Sequence, residues 1–273
     1  MATWKAAAAW VALSIMLLVG GSGFIDPERA EATEGGDSLI VLVSPQASLG
    51  PVASLLQAAS WTIELQNSAA GLLRVGKGGP LAWPVGTLRS SLQALGVVRA
   101  AEAIAMAHRP SGYQGQQSTP FEYDEDLTAA SVRPSDAFLL MNLPANAPSA
   151  PSVSPRLAFL DGGFLFTHEA FPAARLAGQW DALDGDPNAA DTGNGIDDDG
   201  DGVVDGGVGH GLGMVGAALV VCPHADIYCA RVLDDEGRGD SWSVANGLAW
   251  AMSQGVDVIN LSFAMDGYSE VVD

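Results

Sequence analysis

An apolar run that stops at an aspartate constrains the second half of this chain more than any other feature. Residues 157–160 read Leu-Ala-Phe-Leu, and Asp161, Gly162 and Gly163 follow them. A continuous apolar run of this length is typical of a strand buried on both faces of a parallel sheet. Open α/β sheets carry their functional groups at the carboxyl ends of strands, so Asp161 stands where a functional carboxylate is expected.

A second stretch places a histidine at the start of a helix. Residues 209–216 read Gly-His-Gly-Leu-Gly-Met-Val-Gly, which predicts a loop followed by a helix of small and apolar residues over 211–221. A buried carboxylate that holds a histidine is two thirds of a nucleophilic triad. Asp161 and His210 are therefore the candidate acid–base pair, whereas His108, His168 and His224 are predicted to be ordinary core or surface residues.

Strands and helices alternate through the rest of this half. Further strands are expected over 227–233 and 256–262, and a helix capped by Ser241 or Ser243 is expected to run through Met252. Alternation of this kind implies right-handed crossovers and a parallel sheet. The sequence thus predicts an α/β fold for residues 156–273.

Four segments of this half resemble the subtilisin-like serine proteases, in the order found in that family. They are residues 161–169, 209–216, 222–233 and 255–262. They resemble the family's Asp-Thr/Ser-Gly, Gly-His-Gly-Thr-His-Val-Ala-Gly, Ala-Pro-x-Ala-x-Ile/Leu-Tyr…Lys-Val-Leu and Val-Ile-Asn-Met/Leu-Ser motifs. Three positions depart from the pattern: Gly162 replaces Thr or Ser, Leu212 replaces Thr, and Gly213 replaces a second His. The resemblance implies a serine endopeptidase that acts on polypeptides, with Asp161 and His210 in its catalytic positions.

The serine that such an enzyme needs is missing from the expected context. The family carries it in a Gly-Thr-Ser-Met-Ala run, and neither that run nor a Gly-x-Ser-x-Gly elbow occurs in the 273 residues. We therefore expect an incomplete subtilisin-like domain that does not hydrolyse peptides through a triad as written. One hypothesis is a truncated product or fragment of an endopeptidase. The other is a non-catalytic, secreted remnant that binds calcium or interacts with a protease.

Three residues after the last predicted strand are candidates for binding a substrate backbone. Ser262, Phe263 and Ala264 follow the Val-Ile-Asn-Leu-Ser resemblance, where the family lines its substrate cleft. The resemblance implies that they pair with an extended peptide.

Residues 33–107 predict a separate, smaller unit. Apolar runs and helical spacings alternate as βαββαβ, with Thr87 as the expected cap of the second helix, and this order is typical of a ferredoxin-like α+β fold. Its position resembles that of the family's inhibitory propeptide, which assists folding and blocks the cleft until it is removed. The alternatives are an unrelated α/β domain, or a unit that inhibits another protease in trans.

The first residues have the composition of a targeting segment. Lys5 precedes an uncharged stretch over 6–25, and Ala30, Glu31 and Ala32 fit a cleavage site, so residues 1–32 predict a signal peptide and a secreted or cell-envelope location. An uncleaved membrane anchor is the alternative. Residues 108–155 are rich in proline and predict a linker in which a maturation cut would fit.

Charge and cysteine content limit the partners of the chain. A net charge of −20 argues against nucleic acids and anionic membrane surfaces as partners. The acid is concentrated before His210, where a D-x-D-x-D-G-x-x-D spacing predicts a structural calcium loop, with a solvated acidic loop as the alternative. Its ligands would be Asp197, Asp199, Asp201, the Val203 carbonyl and Asp205. Cys222 and Cys229 predict either a disulfide or two buried thiols.

Overall fold

The computed structural model describes residues 37–109 and 151–272. The predicted signal peptide and most of the predicted linker lie outside this range. Among the described residues, none of the helices combines the length and apolar character that crossing a membrane requires. The elements, in chain order, are β1 (Ser38–Val43), α1 (Gly50–Ala59), β2 (Trp61–Asn67), β3 (Leu72–Lys77), α2 (Val85–Gln93), β4 (Val98–Ala103), β5 (Met106–His108), β6 (Arg156–Asp161), β7 (Leu176–Asp181), α3 (His210–Val221), β8 (Asp226–Arg231), β9 (Arg238–Asp240), α4 (Ser241–Ser253), β10 (Val258–Leu261) and β11 (Ala264–Met265).

The first unit is a four-stranded antiparallel sheet with two helices. Its strands lie in the order β2, β3, β1, β4, and with α1 and α2 they form the βαββαβ arrangement that the sequence predicts. Side chains of β1 alternate between two apolar clusters. Leu39, Val41 and Val43 pack with α1 and α2, whereas Ile40 points into a cluster that contains Trp242 of α4. The sheet is therefore covered on both faces.

One local expectation in this unit was wrong. The helix α2 begins at Val85 with Pro84 at its N-cap, so Thr87 lies inside the helix and does not cap it. The strand β2 forms an edge of the sheet, and Trp61 is its one buried residue.

The second unit is built on a parallel sheet with the order β10, β6, β8, β7. Alternate residues of its central strands point to opposite faces. Ala158 and Leu160 pack under α4, while Phe159 packs with Leu212 and Val215 of α3. The predicted parallel α/β architecture is confirmed. The helix α4 lies so close to the sheet that a Cβ on Gly247 would stand 2.5 Å from the Val232 side chain. Glycine at this position permits the close approach.

The start of α4 differs from the expectation. Asp240 is the N-cap: its carboxylate accepts the Ser243 N–H, and the Ser243 hydroxyl accepts the Asp240 N–H. Ser243 is thus the third helical residue of a capping box and Ser241 is the first. Both cysteines are free thiols, so the disulfide alternative is not realised. Burial raises the pKa of both thiols, that of Cys229 well above its ordinary value.

A third, three-stranded sheet joins the two units. β5, at the end of the first unit, lies antiparallel between β9 and β11 of the second. Arg74 on β3 also forms an ion pair of 2.8 Å with Asp240, and the Asn67 side chain donates to Asn246 over 2.7 Å. The sheet of the first unit therefore packs on α4, and its final strand enters the second unit.

Candidate active site

The structure brings Asp161 and His210 together at the carboxyl edge of the parallel sheet. Asp161 is the last residue of β6 and is 1% exposed, while His210 is the first residue of α3. The distance from His210 Nδ1 to Asp161 Oδ1 is 2.8 Å. A buried carboxylate in this position fixes the ring so that Nδ1 carries the proton and Nε2 is left as the base.

The backbone around Asp161 holds its carboxylate in place. Its Oδ1 also accepts the Gly162 N–H over 2.7 Å. Its backbone carbonyl accepts the N–H groups of Val232 and Leu233, which anchors the end of β6 to the strand beside it. Within the described part of the chain, Oδ2 is buried without a partner. Gly162, the next residue, contributes its backbone N–H and has no side chain that could donate to the carboxylate.

The pKa of His210 is raised above its ordinary value. Burial disfavours the charged ring and lowers the pKa, but the hydrogen bond and negative charge of Asp161 outweigh burial. The positive charge of Arg109 acts in the opposite direction and lowers this pKa, whereas Asp191 raises it. The protonated imidazolium is therefore stabilised in this site, which is what a general base that must accept a proton requires.

Asp191 supports the turn before His210, and it is not among the site residues that the sequence predicts. Its Oδ2 accepts the Gly209 N–H over 2.6 Å, and Gly209 holds a φ of +87° as the N-cap of α3. Asp191 is 7% exposed, and its Oδ1 is buried without a partner among the described residues. In the sequence it is one of nine aspartates between positions 181 and 205, so composition gave no signal that set it apart.

The pKa of Asp191 is raised to about 6. Burial is the main cause, the Gly209 hydrogen bond opposes it, and the negative charge of Asp161 adds to it. Arg231 provides the nearby positive charge: it ends β8 opposite Asp161 and forms a 2.8 Å ion pair with Asp181. The carboxyl edge of the sheet thus gathers three buried aspartates around one arginine.

The three candidate residues for peptide binding have different environments. Ala264 belongs to β11 and pairs with His108 of β5. Phe263 packs against the core under α4, and Ser262 Oγ accepts the Asn260 side-chain N–H over 2.8 Å. Only Ala264 of the three lies in a named strand, and the strand it pairs with comes from the first unit of the same chain.

The acidic loop brings together three of its five predicted calcium ligands. Carboxylate oxygens of Asp197, Asp199 and Asp201 all lie within 4.8 Å of one another. The carboxylate of Asp205 instead accepts the backbone N–H groups of Asn194 and Gly195.

The raised pKa of Asp191 predicts a pH-dependent effect of Asp191→Asn. Because the folded pKa of about 6 exceeds the ordinary 3.8, the neutral form is favoured, and wild-type stability falls as pH rises from about 4 through about 6. Asparagine keeps an acceptor for Gly209 and does not ionise. The unfolding free energy of the variant relative to wild type should therefore rise by about 1–3 kcal/mol between pH 4 and pH 7, measured by urea unfolding.

The matched control is Asp184→Asn, which removes an aspartate side chain that is 69% exposed from the same acidic stretch. Its stability difference from wild type should vary little over this pH range. A difference for Asp191→Asn that stays constant with pH would contradict the raised pKa.

The second half of the chain is similar to known proteins. Residues 141–273 match the sequence model of the subtilase family, peptidase S8. Thermitase of Thermoactinomyces vulgaris is 35% identical over 107 residues, which are 39% of this chain and 36% of thermitase. Subtilisin BL of Lederbergia lenta is 32% identical over 118 residues, which are 43% of this chain and 40% of that protein. The chain thus spans less than half the length of these relatives.

A solved structure is also similar. Fervidolysin of Fervidobacterium pennivorans, described as a keratinolytic enzyme related to subtilisin, aligns with a TM-score of 0.49 and 18% identity, over 86% of this chain and 37% of fervidolysin. The segment that matches the subtilase sequence model contains both Asp161 and His210. Residues 141–273, a little under half of the chain, are thus similar to the subtilase family.

Proposed function

We propose that this chain carries the acid–base half of a serine endopeptidase that cleaves polypeptides. The observation that supports it most directly is the 2.8 Å contact between His210 Nδ1 and the buried Asp161, inside the segment that matches the family. The three departures from the family motifs leave both of these residues in place.

The proposed chemistry is acyl transfer. Asp161 holds the Nδ1 proton, so His210 Nε2 takes the proton of a serine hydroxyl while the serine oxygen bonds to the substrate carbonyl carbon. The same proton then passes from Nε2 to the amine as the peptide C–N bond breaks. The raised pKa of His210 supports this role, because it reports that the intermediate imidazolium is stabilised by Asp161.

The proposed reaction also needs a serine nucleophile. Among the described residues, no serine hydroxyl makes a hydrogen bond with His210 Nε2. We infer that the nucleophile is supplied by sequence further along a longer chain, which the greater length of the relatives supports.

We infer that the first unit is an internal inhibitor of this site. Its final strand, β5, pairs with Ala264 on one side and with Arg238 on the other, where the backbone of a substrate would pair. The carboxylate of Glu102 also accepts the Glu270 N–H over 2.8 Å and the Ser269 hydroxyl. The position of β5 between β9 and β11 favours an internal inhibitor over an unrelated domain. A secreted or cell-envelope location, which residues 1–32 predict, fits an enzyme made with such an inhibitor.

The test begins by sequencing the coding region beyond codon 273 and expressing the extended chain. We expect a Gly-Thr-Ser-Met-Ala segment there, hydrolysis of casein by the extended chain after its first unit is cut away, and none by the 273 residues alone. His210→Ala should lower kcat of the extended enzyme by about 10⁴-fold or more, since it removes the general base.

His224→Ala is the matched control, because His224 lies beside Arg175 and outside the proposed pair. It should leave kcat within a few-fold of wild type. Unrelated sequence after codon 273, or full activity of His210→Ala, would refute the proposal and favour a non-catalytic protein.

We also propose that the acidic loop binds calcium as a structural ion. Asp197, Asp199 and Asp201 would hold it, because three carboxylates this close repel one another unless a hard cation neutralises them. The Asp197 carboxylate further accepts the N–H groups of Gly200, Asp201 and Gly202, which wraps the loop around the cluster. The site fits calcium only in part, because Asp205 is turned toward Asn194 and Gly195.

Calcium should therefore raise the stability of the full chain, by about 2.7 kcal/mol at a concentration 100 times the Kd. The measurement is thermal unfolding in millimolar calcium and in EDTA. Asp199→Asn should remove most of the effect and Asp184→Asn should not. Equal melting temperatures with and without calcium would identify the loop as a solvated acidic segment.

A further inference from the structure

Arg109 follows β5 and continues its pairing toward His210. Its backbone N–H donates to the Gly237 carbonyl over 2.8 Å, in line with the pairs that β5 makes with β9. Gly207 lies beside Gly237 and its carbonyl accepts the His210 N–H over 3.2 Å, so Arg109 lies near the candidate base, where its positive charge lowers the pKa of His210. Arg109 thus stands where the side chain of a bound substrate would meet the wall of the cleft beside His210.

Two glycines, Gly206 and Gly237, leave space for the Arg109 side chain. A Cβ on Gly237 would stand 3.1 Å from Arg109 Cβ and 3.8 Å from its Cδ, so the arginine stem crosses directly over Gly237. A Cβ on Gly206 would stand 3.3 Å from Arg109 Nη2. The guanidinium also donates to the Gly206 carbonyl through Nη1. The two glycines form a groove that a longer residue at either position would narrow.

The far end of the groove is negative. Glu236 is 5% exposed. A Cβ added to Gly206 would stand 3.5 Å from Glu236 Oε2. Its two oxygens accept the N–H groups of Asp198 and Gly206, over 3.0 Å each, so the carboxylate is fixed in place. A buried, fixed carboxylate beside a carbonyl acceptor attracts a cationic side chain and repels an acidic one.

We propose that Gly206, Gly237 and Glu236 form a subsite for the arginine or lysine side chain of an extended peptide, and that Arg109 is its occupant in this chain. The proposal rests on the proposed function of the cleft and adds a substrate class, polypeptides with a basic residue at this position. Arginine fits better than lysine, because one guanidinium nitrogen donates to the Gly206 carbonyl while the other lies on the side of Gly206 that Glu236 also lines.

The first test is a double-mutant cycle on the full-length chain. The readout is hydrogen-exchange protection of the Arg109 amide, which donates to Gly237. Arg109→Gln should lower protection by about tenfold in the wild-type background and by less than about threefold in the Glu236→Gln background, because the negative charge that attracts the guanidinium is already removed there. Arg109→Lys should keep most of the protection. An equal loss from Arg109→Gln in both backgrounds would overturn the assignment of Glu236 to the subsite.

The second test asks whether the subsite takes a cation from solution. In full-length Arg109→Ala, N-ethylguanidinium should shift the Gly206 and Gly237 amide resonances saturably, and neutral N-ethylurea should bind at least about tenfold more weakly. Wild type, whose own Arg109 fills the groove, should show no saturable shift. Equal binding of both probes, or no saturable shift in the variant, would refute the subsite. Neither test requires hydrolysis, so a failure of the proposed peptidase activity would leave their outcome readable.

Discussion

The site depends on one buried carboxylate at the end of one strand. Asp161 has no route to solvent, so its charge can be stabilised only by the protein groups around it. Two backbone N–H groups from the neighbouring strand segment fix the strand end, one N–H fixes the side chain, and His210 completes the arrangement. The register between β6 and β8 fixes Asp161, and Asp161 fixes the His210 ring. The position of His210 therefore depends on this register as well as on α3.

Buried aspartates outnumber the positive charges at this edge of the sheet. Asp161, Asp181 and Asp191 are buried, and Arg231 pairs with Asp181 over 2.8 Å and with the exposed Asp184 over 3.4 Å. Burial is the main cause of the elevated pKa of Asp191, and the positive charge of Arg231 only partly offsets it. The same arrangement stabilises a positive charge on His210, so the electrostatics that burden the fold with buried acid also favour proton transfer at the ring.

The sequence predicted the parts of the fold that depend on local pattern. The apolar run before Asp161 and the Gly-His-Gly loop located β6, α3 and the paired residues, because strand burial and helix starts leave a signal in neighbouring positions. Asp191 was missed because one aspartate in an acidic stretch looks like the others until the fold buries it. The position of β5 was missed for a different reason: a three-residue strand whose partners lie far along the chain has no local signature.

The most direct measurement of the central claim is the pKa of the His210 ring by NMR in the full-length chain, which contains four histidines. The resonance is assigned by its loss in His210→Ala. If Asp161 holds and charges this ring, the wild-type pKa lies above the ordinary value for histidine, and Asp161→Asn lowers it while Asp184→Asn leaves it unchanged. An unaltered His210 pKa in folded Asp161→Asn would contradict the account, because the carboxylate would then not be acting on the histidine.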